Sequence, residues 1–241
     1  MLLSTLNYNQ PELTDNLVNQ LRRDTSFPQH EIMVVDNGST KELPKTTTHR
    51  VDQNTFFGGG LNIIMDYFLS TDHEHFVLFN NDLIFHGPRI IQNMMREVEE
   101  SQFDLYSPSI TNSGKDQCHW RQMWNWGTGT VREVEFIDFM CPIFSRRLVE
   151  EIRRYPDELY LGWGPDFYTG VVCSEKGYKV GVSDNISLTH LVSQTFKTGA
   201  IDIKESDFCR QADHNMHQYF YNSPNKDKFL ELRQTYSTYS I

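Results

Sequence analysis

Asn80, Asn81 and Asp82 close the segment HFVLFNND (residues 75–82), where a run rich in Phe and Val gives way abruptly to three side chains bearing oxygen donors. An apolar run of this length reads as a strand buried on both faces of a parallel sheet. A buried strand carries no carboxylate without a reason, so Asp82 is expected where the strand leaves the core. In open α/β sheets that carboxyl edge is where ligands bind. Side chains alternate along a strand, so Asn80 and Asp82 share one side and Asn81 takes the other. Two oxygen donors on one side suit a hard divalent cation that also grips phosphates. The same three residues also suit ordinary turn chemistry after a strand.

Other residues could add to such a site. Asp36 ends the run EIMVVD and precedes Asn37-Gly38-Ser39-Thr40. Its carboxylate is expected at the same sheet edge, able to accept from a ribose hydroxyl or a base N–H, or else to serve an Asp-Asn-Gly turn. In NTFFGGGLN (residues 54–62) three glycines precede a helical pattern. Such a stretch lets backbone approach a ligand and exposes N–H groups at a positive helix end. It does not match the dinucleotide fingerprint, and no Gly-Lys-Ser or Gly-Lys-Thr occurs. Asp166 follows Pro165 in the segment GWGPD (162–166), which places it in the first turn of a helix. The positive helix end there favours the ionised form a general base needs, while capping is the simpler use of the same residue. His190 follows a strand-like stretch and is a metal ligand or a structural histidine. Trp120, Trp124, Trp126 and Trp163 either line carbohydrate subsites or pack an irregular hairpin.

These residues need a frame to hold them. The first two thirds of the chain alternate strand-like and helix-like segments, as a mostly parallel α/β sheet does. Strands are expected at Leu2–Leu6, Glu31–Asp36, His49–Gln53, His75–Asp82 and Asp104–Ser107. Helices are expected from Pro11 past Leu21, over Leu61–Leu69 and over Pro88–Glu100. Residues 118–134 read as loops or an irregular hairpin. Val134–Phe144 returns to strand chemistry, Ser145–Arg154 is a short helix, and Tyr178–Val182 is a last strand. The polar C-terminal stretch carries helices around Glu205–Tyr221 and Lys226–Thr235.

Composition bounds the partners. The 241 residues are 38% hydrophobic and 22% charged, the balance of an ordinary globular protein with room for a sizeable core. Net charge is −10, which gives no long-range pull on nucleic acid or anionic membrane. No apolar run approaches the roughly 18 residues of a membrane span, and the N-terminus lacks a basic leader pattern. Four scattered cysteines with no CxxC pair read as reduced thiols of a cytoplasmic protein.

Taken in order, VVDNGST, Asn54 with the glycine-rich helix start, the LFNND strand and WGPD before a helix resemble the family 2 glycosyltransferases of the GT-A fold. The resemblance runs from about residue 3 to residue 190. It implies a GT-A domain over residues 1–193, with a nucleotide-sugar half (1–108) and an acceptor and catalytic half (109–193). Residues 194–241 follow as a lid and helical extension. It implies that Leu6, Asn7 and Asp36 hold the base and ribose, most often of a UDP-sugar, and that Asn54, Gly59 and Asn62 shape the donor pocket. Asn80 and Asp82 match the family's DxD-like motif, with Asn81 beside them at the donor and Asp82 on a Mn²⁺ or Mg²⁺ that His190 completes. Asp166 matches the catalytic base, with Gly177 at the usual interval beyond it, and Trp163 and Gly164 fall toward the acceptor. Asn80 stands where the family has its first Asp, and Pro165 where it has Glu.

The implied reaction belongs to carbohydrate biosynthesis. A sugar moves with inversion from a nucleotide-sugar to a hydroxyl of a carbohydrate or glycoconjugate acceptor, with a divalent metal on the diphosphate. A catalytically silent nucleotide-sugar-binding protein of the same fold is the alternative. A sugar nucleotidyltransferase would need a glycine-rich basic loop after the first strand, and LNYNQPE (6–12) has neither glycine nor basic residue. Transfer onto nucleic acid is disfavoured by the acidic charge.

Overall fold

The computed structural model describes residues 1–24, 31–113 and 117–238. Apolar runs that are too hydrophobic to face water on either side form the middle of a sheet. Strand β1 (Leu2–Asn7) pairs in parallel with β2 (Glu31–Asn37) and with β4 (His75–Phe79), and β2 pairs with β3 (His49–Val51). Phe76, Val77, Leu78 and Phe79 are fully buried, as the uninterrupted apolar run requires.

Beyond β4 the sheet becomes mixed. Strand β8 (Ile143–Ser145) runs antiparallel to β4 and to β6 (Leu105–Asn112), and β6 lies parallel to β9 (Val180–His190). A register shift after Pro108 breaks β9 into two working halves. Its first half pairs with β7 (Val131–Val134) and its last three residues pair with β5 (Leu83–Phe85). The order is β3-β2-β1-β4-β8-β6-β9-β5, with β7 on β9. Among the described residues, nine strands thus make one α/β sheet, parallel in its N-terminal half.

Helices flank it: α1 (Pro11–Asp24), α2 (Phe56–Leu69), α3 (Ile90–Ser101), α4 (Arg146–Ile152) and α5 (Pro165–Lys176). The short α6 (Gln194–Lys197) leads to α7 (Glu205–Tyr221) and α8 (Lys226–Tyr236). The last two helices have an apolar cluster of their own, in which Met216, Phe220, Phe229 and Leu232 meet Phe136, Phe167 and Val171. Phe220 and Phe229 stack at 4.3 Å between ring centroids, and Phe136 stacks on Phe167 at 4.6 Å. No helix among the described residues is long and apolar enough to cross a membrane.

Three elements depart from the sequence reading. The glycines do not precede α2; they lie within its first turns, because Asn54 accepts the Phe56 N–H at 2.8 Å and starts the helix early. They are needed there. A Cβ on Gly58 would stand 2.5 Å from the Leu159 carbonyl oxygen, and one on Gly60 would stand 2.8 Å from the Leu6 side chain. Residues 135–142, expected as strand, form irregular backbone between β7 and β8. The last strand runs eight residues past Val182, to His190, because β5 offers it a second partner.

Candidate active site

Parallel strands deliver their C-terminal ends to one edge, and a cavity of about 250 Å³ opens there. Leu6, Asn7 and Tyr8 leave β1 into it, Asn37 leaves β2, and Asn80, Asn81 and Asp82 leave β4. Asn54, Phe56 and Phe57 at the start of α2 close one side. Ser193–Phe196, Ile201 and Phe208 close another, so the polar stretch after β9 lies across the opening. That stretch is tied down from the N-terminal half: Asn9 Nδ2 donates to the Ala200 carbonyl at 2.8 Å and Lys41 Nζ to the Gly199 carbonyl at 2.8 Å.

Pairing Leu83 with His190 carries the histidine alongside Asp82. His190 Nε2 lies 3.2 Å from Asp82 Oδ2, and Asp82 is 7% exposed. Among the described residues no three His, Cys, Asp or Glu side chains converge tightly enough to cage a metal alone. One carboxylate and one imidazole at a cavity wall do fit a cation whose remaining ligands are phosphate oxygens and water. Asn81 is turned toward α1, donating to Thr14 Oγ1 at 3.1 Å and Gln10 Oε1 at 3.3 Å, as alternation requires.

Asp36, Gly59 and Asn62 are not brought to this cavity. Asp36 is fully buried; its carboxylate accepts from Asn7 Nδ2 at 2.8 Å and the Ser39 N–H at 3.2 Å, with Arg50 Nε at 3.6 Å. These contacts build the turn after β2, and the adjacent Asn37 faces the cavity instead. Asn62 faces away into the fold, donating to the Tyr155 carbonyl at 3.1 Å and accepting the Tyr155 N–H at 2.8 Å. Gly59 packs against Thr55.

A second cavity, about 410 Å³, lies where α5 meets α7 and α8. Asp166, Trp163 and Gly164 line it, together with Asp138, which sequence reading passed over. Asp166 sits in the first turn of α5, and its Oδ1 accepts the Phe167 N–H at 2.8 Å. Both carboxyls line the cavity and are partly buried. Burial, followed by the charge of Asp138, pushes Asp166 up to about 8. Burial likewise raises Asp138 to about 6, opposed by His190. The helix end therefore does not hold Asp166 ionised at neutral pH: loss of solvent and a neighbouring like charge outweigh it.

Asp138 carried a legible signal, since EFIDFMCP is an apolar stretch broken by one carboxylate, just as the Asp82 strand is. Phe56 carried none. It lines the first cavity in left-handed backbone, φ 55°, which is rare for an aromatic residue. Asn37 and Asn54 fix it there, Asn37 Nδ2 donating to its carbonyl at 2.8 Å. Of the tryptophans, Trp120 packs edge-on against Phe136 and Phe167, and only Trp163 and Trp126 present a large exposed face.

No protein-family model matches this chain, and no curated protein matches it by sequence. Solved structures do match it. TarS from S. aureus, in complex with UDP-GlcNAc, superposes with a TM-score of 0.65 at 14% identity, over 98% of this chain and 73% of that one. GalNAc-T7 with UDP, GalNAc and Mn²⁺ gives 0.65 at 11% identity, over 79% of this chain and 43% of that one. The mannosyltransferase PcManGT from Pyrobaculum calidifontis, with GDP-Man and Mn²⁺, gives 0.59 at 12% identity, over 100% and 76%. Likeness at such low identity is likeness of fold, and the fold is that of the GT-A glycosyltransferases.

Proposed function

We propose that this protein is a metal-dependent glycosyltransferase that moves a sugar, with inversion, from a nucleotide-sugar to an acceptor hydroxyl. One observation carries the reading: a carboxylate–imidazole pair, Asp82 and His190, stands on the wall of the cavity at the sheet edge of a GT-A fold. Leu6, Asn7, Asn37, Asn54, Asn80 and Asn81 are assigned to the donor, with UDP the expected nucleotide. The UDP-GlcNAc of TarS and the GDP-Man of PcManGT support a nucleotide-sugar donor, and the Mn²⁺ in the structures of GalNAc-T7 and PcManGT supports a divalent cation, taken here as Mn²⁺ or Mg²⁺. The family 2 assignment rests on the motifs alone. The division at residue 193 rests on them too, and the cytoplasmic location is the expectation from four scattered cysteines with no CxxC pair.

A bound divalent cation would neutralise charge that builds on the departing diphosphate. The chain's own groups do the rest. Asp82 and His190 would hold that cation, and the asparagines orient the nucleoside. Asp166 accepts the acceptor hydroxyl's proton as that oxygen attacks the anomeric carbon opposite the phosphate. A single displacement inverts the anomeric centre, so no enzyme nucleophile is required. In the free protein Asp166 holds its own proton at neutral pH, so that proton must leave before or as the acceptor binds.

The test is thermal stability against UDP-, GDP-, dTDP- and CMP-sugars with and without Mn²⁺, followed by donor hydrolysis. Binding raises stability with ligand concentration over Kd, so even micromolar affinity registers. A shift that needs the metal, lost in Asp82→Ala, supports the reading. Asp166→Asn should keep the shift and lose turnover. Wild-type turnover in that variant sinks the base assignment, and binding with no turnover in the unaltered protein favours the silent binder.

A further inference from the structure

The second cavity differs in character from the first. Its walls come partly from α7 and α8, which belong to residues 194–241, outside the stretch covered by any motif. Asp213 on α7 and Arg233 on α8 face each other across it, Arg233 Nη2 lying 3.4 Å from Asp213 Oδ1. Arg233 also contacts His217. Among the described lining residues it is the one arginine or lysine, against three carboxyls: Asp138, Asp166 and Asp213. His119, the remaining titratable group on the wall, engages Ser237 and Thr238 through its two ring nitrogens at 3.2 and 3.0 Å. Trp163 offers a ring that is 40% exposed at the rim.

Those groups select a chemistry. An anionic ligand would meet the carboxylates of Asp138 and Asp213 and a guanidinium already committed to Asp213, and like charges brought together out of water are strongly unfavourable. A sugar brings no charge. Its hydroxyls can donate to Asp213 and accept from Arg233, while its C–H face lies flat on an indole.

We propose that the cavity bounded by Asp138, Asp166, Trp163, Asp213 and Arg233 takes an uncharged, polyhydroxylated acceptor, a neutral sugar or glycan end, and excludes acceptors bearing phosphate or carboxylate there. The C-terminal helices, through Asp213 and Arg233, are then the specificity element. This rests on the reading of the protein as a glycosyltransferase for the word acceptor, though not for the ligand class.

Binding is measured without donor, by saturation-transfer NMR on the full chain. The probes are methyl glucoside, galactoside, mannoside and N-acetylglucosaminide, each beside its uronide or 6-phosphate. At least one neutral sugar is expected to bind, with a preference of about tenfold or more over its charged counterpart. Trp163→Ala should remove the neutral signal. Asp213→Asn frees Arg233 and should erode the preference several-fold by admitting the uronide; thermal melts confirm that both variants fold. Equal or better binding of the charged probes overturns the proposal, as does silence from every neutral sugar or an unaltered preference in Asp213→Asn. A missing metal-dependent donor shift alongside neutral-sugar binding would sink the donor reading and leave this one standing.

Discussion

Replacing Asp166 by Asn should stabilise the protein, and do so more as the pH rises. The side chain titrates at 3.8 when unperturbed and at about 8 in the folded chain, raised first by burial and then by Asp138. Folding therefore favours its protonated form. That contribution is complete below about pH 4 and is lost as the pH climbs through 8. Over this interval the folded chain keeps a proton that the unfolded chain has released, which costs about 1.4 kcal/mol of stability for every tenfold fall in proton concentration. From pH 5 to pH 8 the ceiling is therefore roughly 4 kcal/mol. Solvent reaches the carboxyl along the cavity, and Asp138 takes up part of the same titration, so about half is expected. For a chain of this size ~2 kcal/mol is about 6 °C in Tm. Asparagine keeps an oxygen to accept the Phe167 N–H that Asp166 now accepts, so the comparison isolates the charge. Melts of wild type and Asp166→Asn in chelator, at half-unit steps from pH 5 to pH 8.5, should show the gap widening by about 6 °C. A constant gap across that range, or one that narrows, refutes the account of a buried carboxyl held up by a like-charged neighbour.

Other expectations follow from particular contacts. If Asp166 is the base, transfer should rise with pH toward a limb near 8, and Asp138→Asn should move that limb to lower pH in a kcat/KM profile. The move should be partial, because burial is the larger cause. Asn62→Ala strands the buried Tyr155 N–H and carbonyl that Asn62 now satisfies. A loss of roughly 2–3 kcal/mol in urea unfolding is expected, with nucleotide binding retained once folded. Phe56 at φ 55° reverses the usual order of helix residues. Phe56→Gly should be more stable than Phe56→Ala by about 1 kcal/mol, since both lose the same aromatic contacts and only alanine keeps the strain. Equal melting temperatures for the two would remove strain from the explanation.

The sequence by itself carried every signal whose cause is local. Apolar runs located β2 and β4 because a strand with no polar face has nowhere to go but the middle of a sheet. The abrupt ends of β2 and β4 located the edge where the first cavity opens, since a parallel strand sheds its polar residues where it leaves the core. Pro165 and Gly177 bracketed α5 because a residue without an N–H suits a helix start and one without a Cβ suits its end. The two C-terminal helices, expected around Glu205–Tyr221 and Lys226–Thr235, are present at Glu205–Tyr221 and Lys226–Tyr236, although their purpose was not legible.

What the tertiary structure decided lies between segments distant in sequence. Whether a carboxylate at a strand end faces the cavity depends on its neighbours: Asp36 is held in a turn by Asn7, Ser39 and Arg50, while Asp82 lines the cavity and meets His190 where β9 pairs with β5. The state of Asp166 was equally out of reach, because a first-turn position argues for an ionised carboxylate and only packing reveals the burial and the like charge 28 residues upstream. The C-terminal helices meet α5 and the wall of the second cavity through Phe136, Phe167, Phe220 and Phe229, an aromatic cluster drawn from three separated stretches. Local chemistry is written one residue at a time, but electrostatics and desolvation act through space, and space is set by the fold.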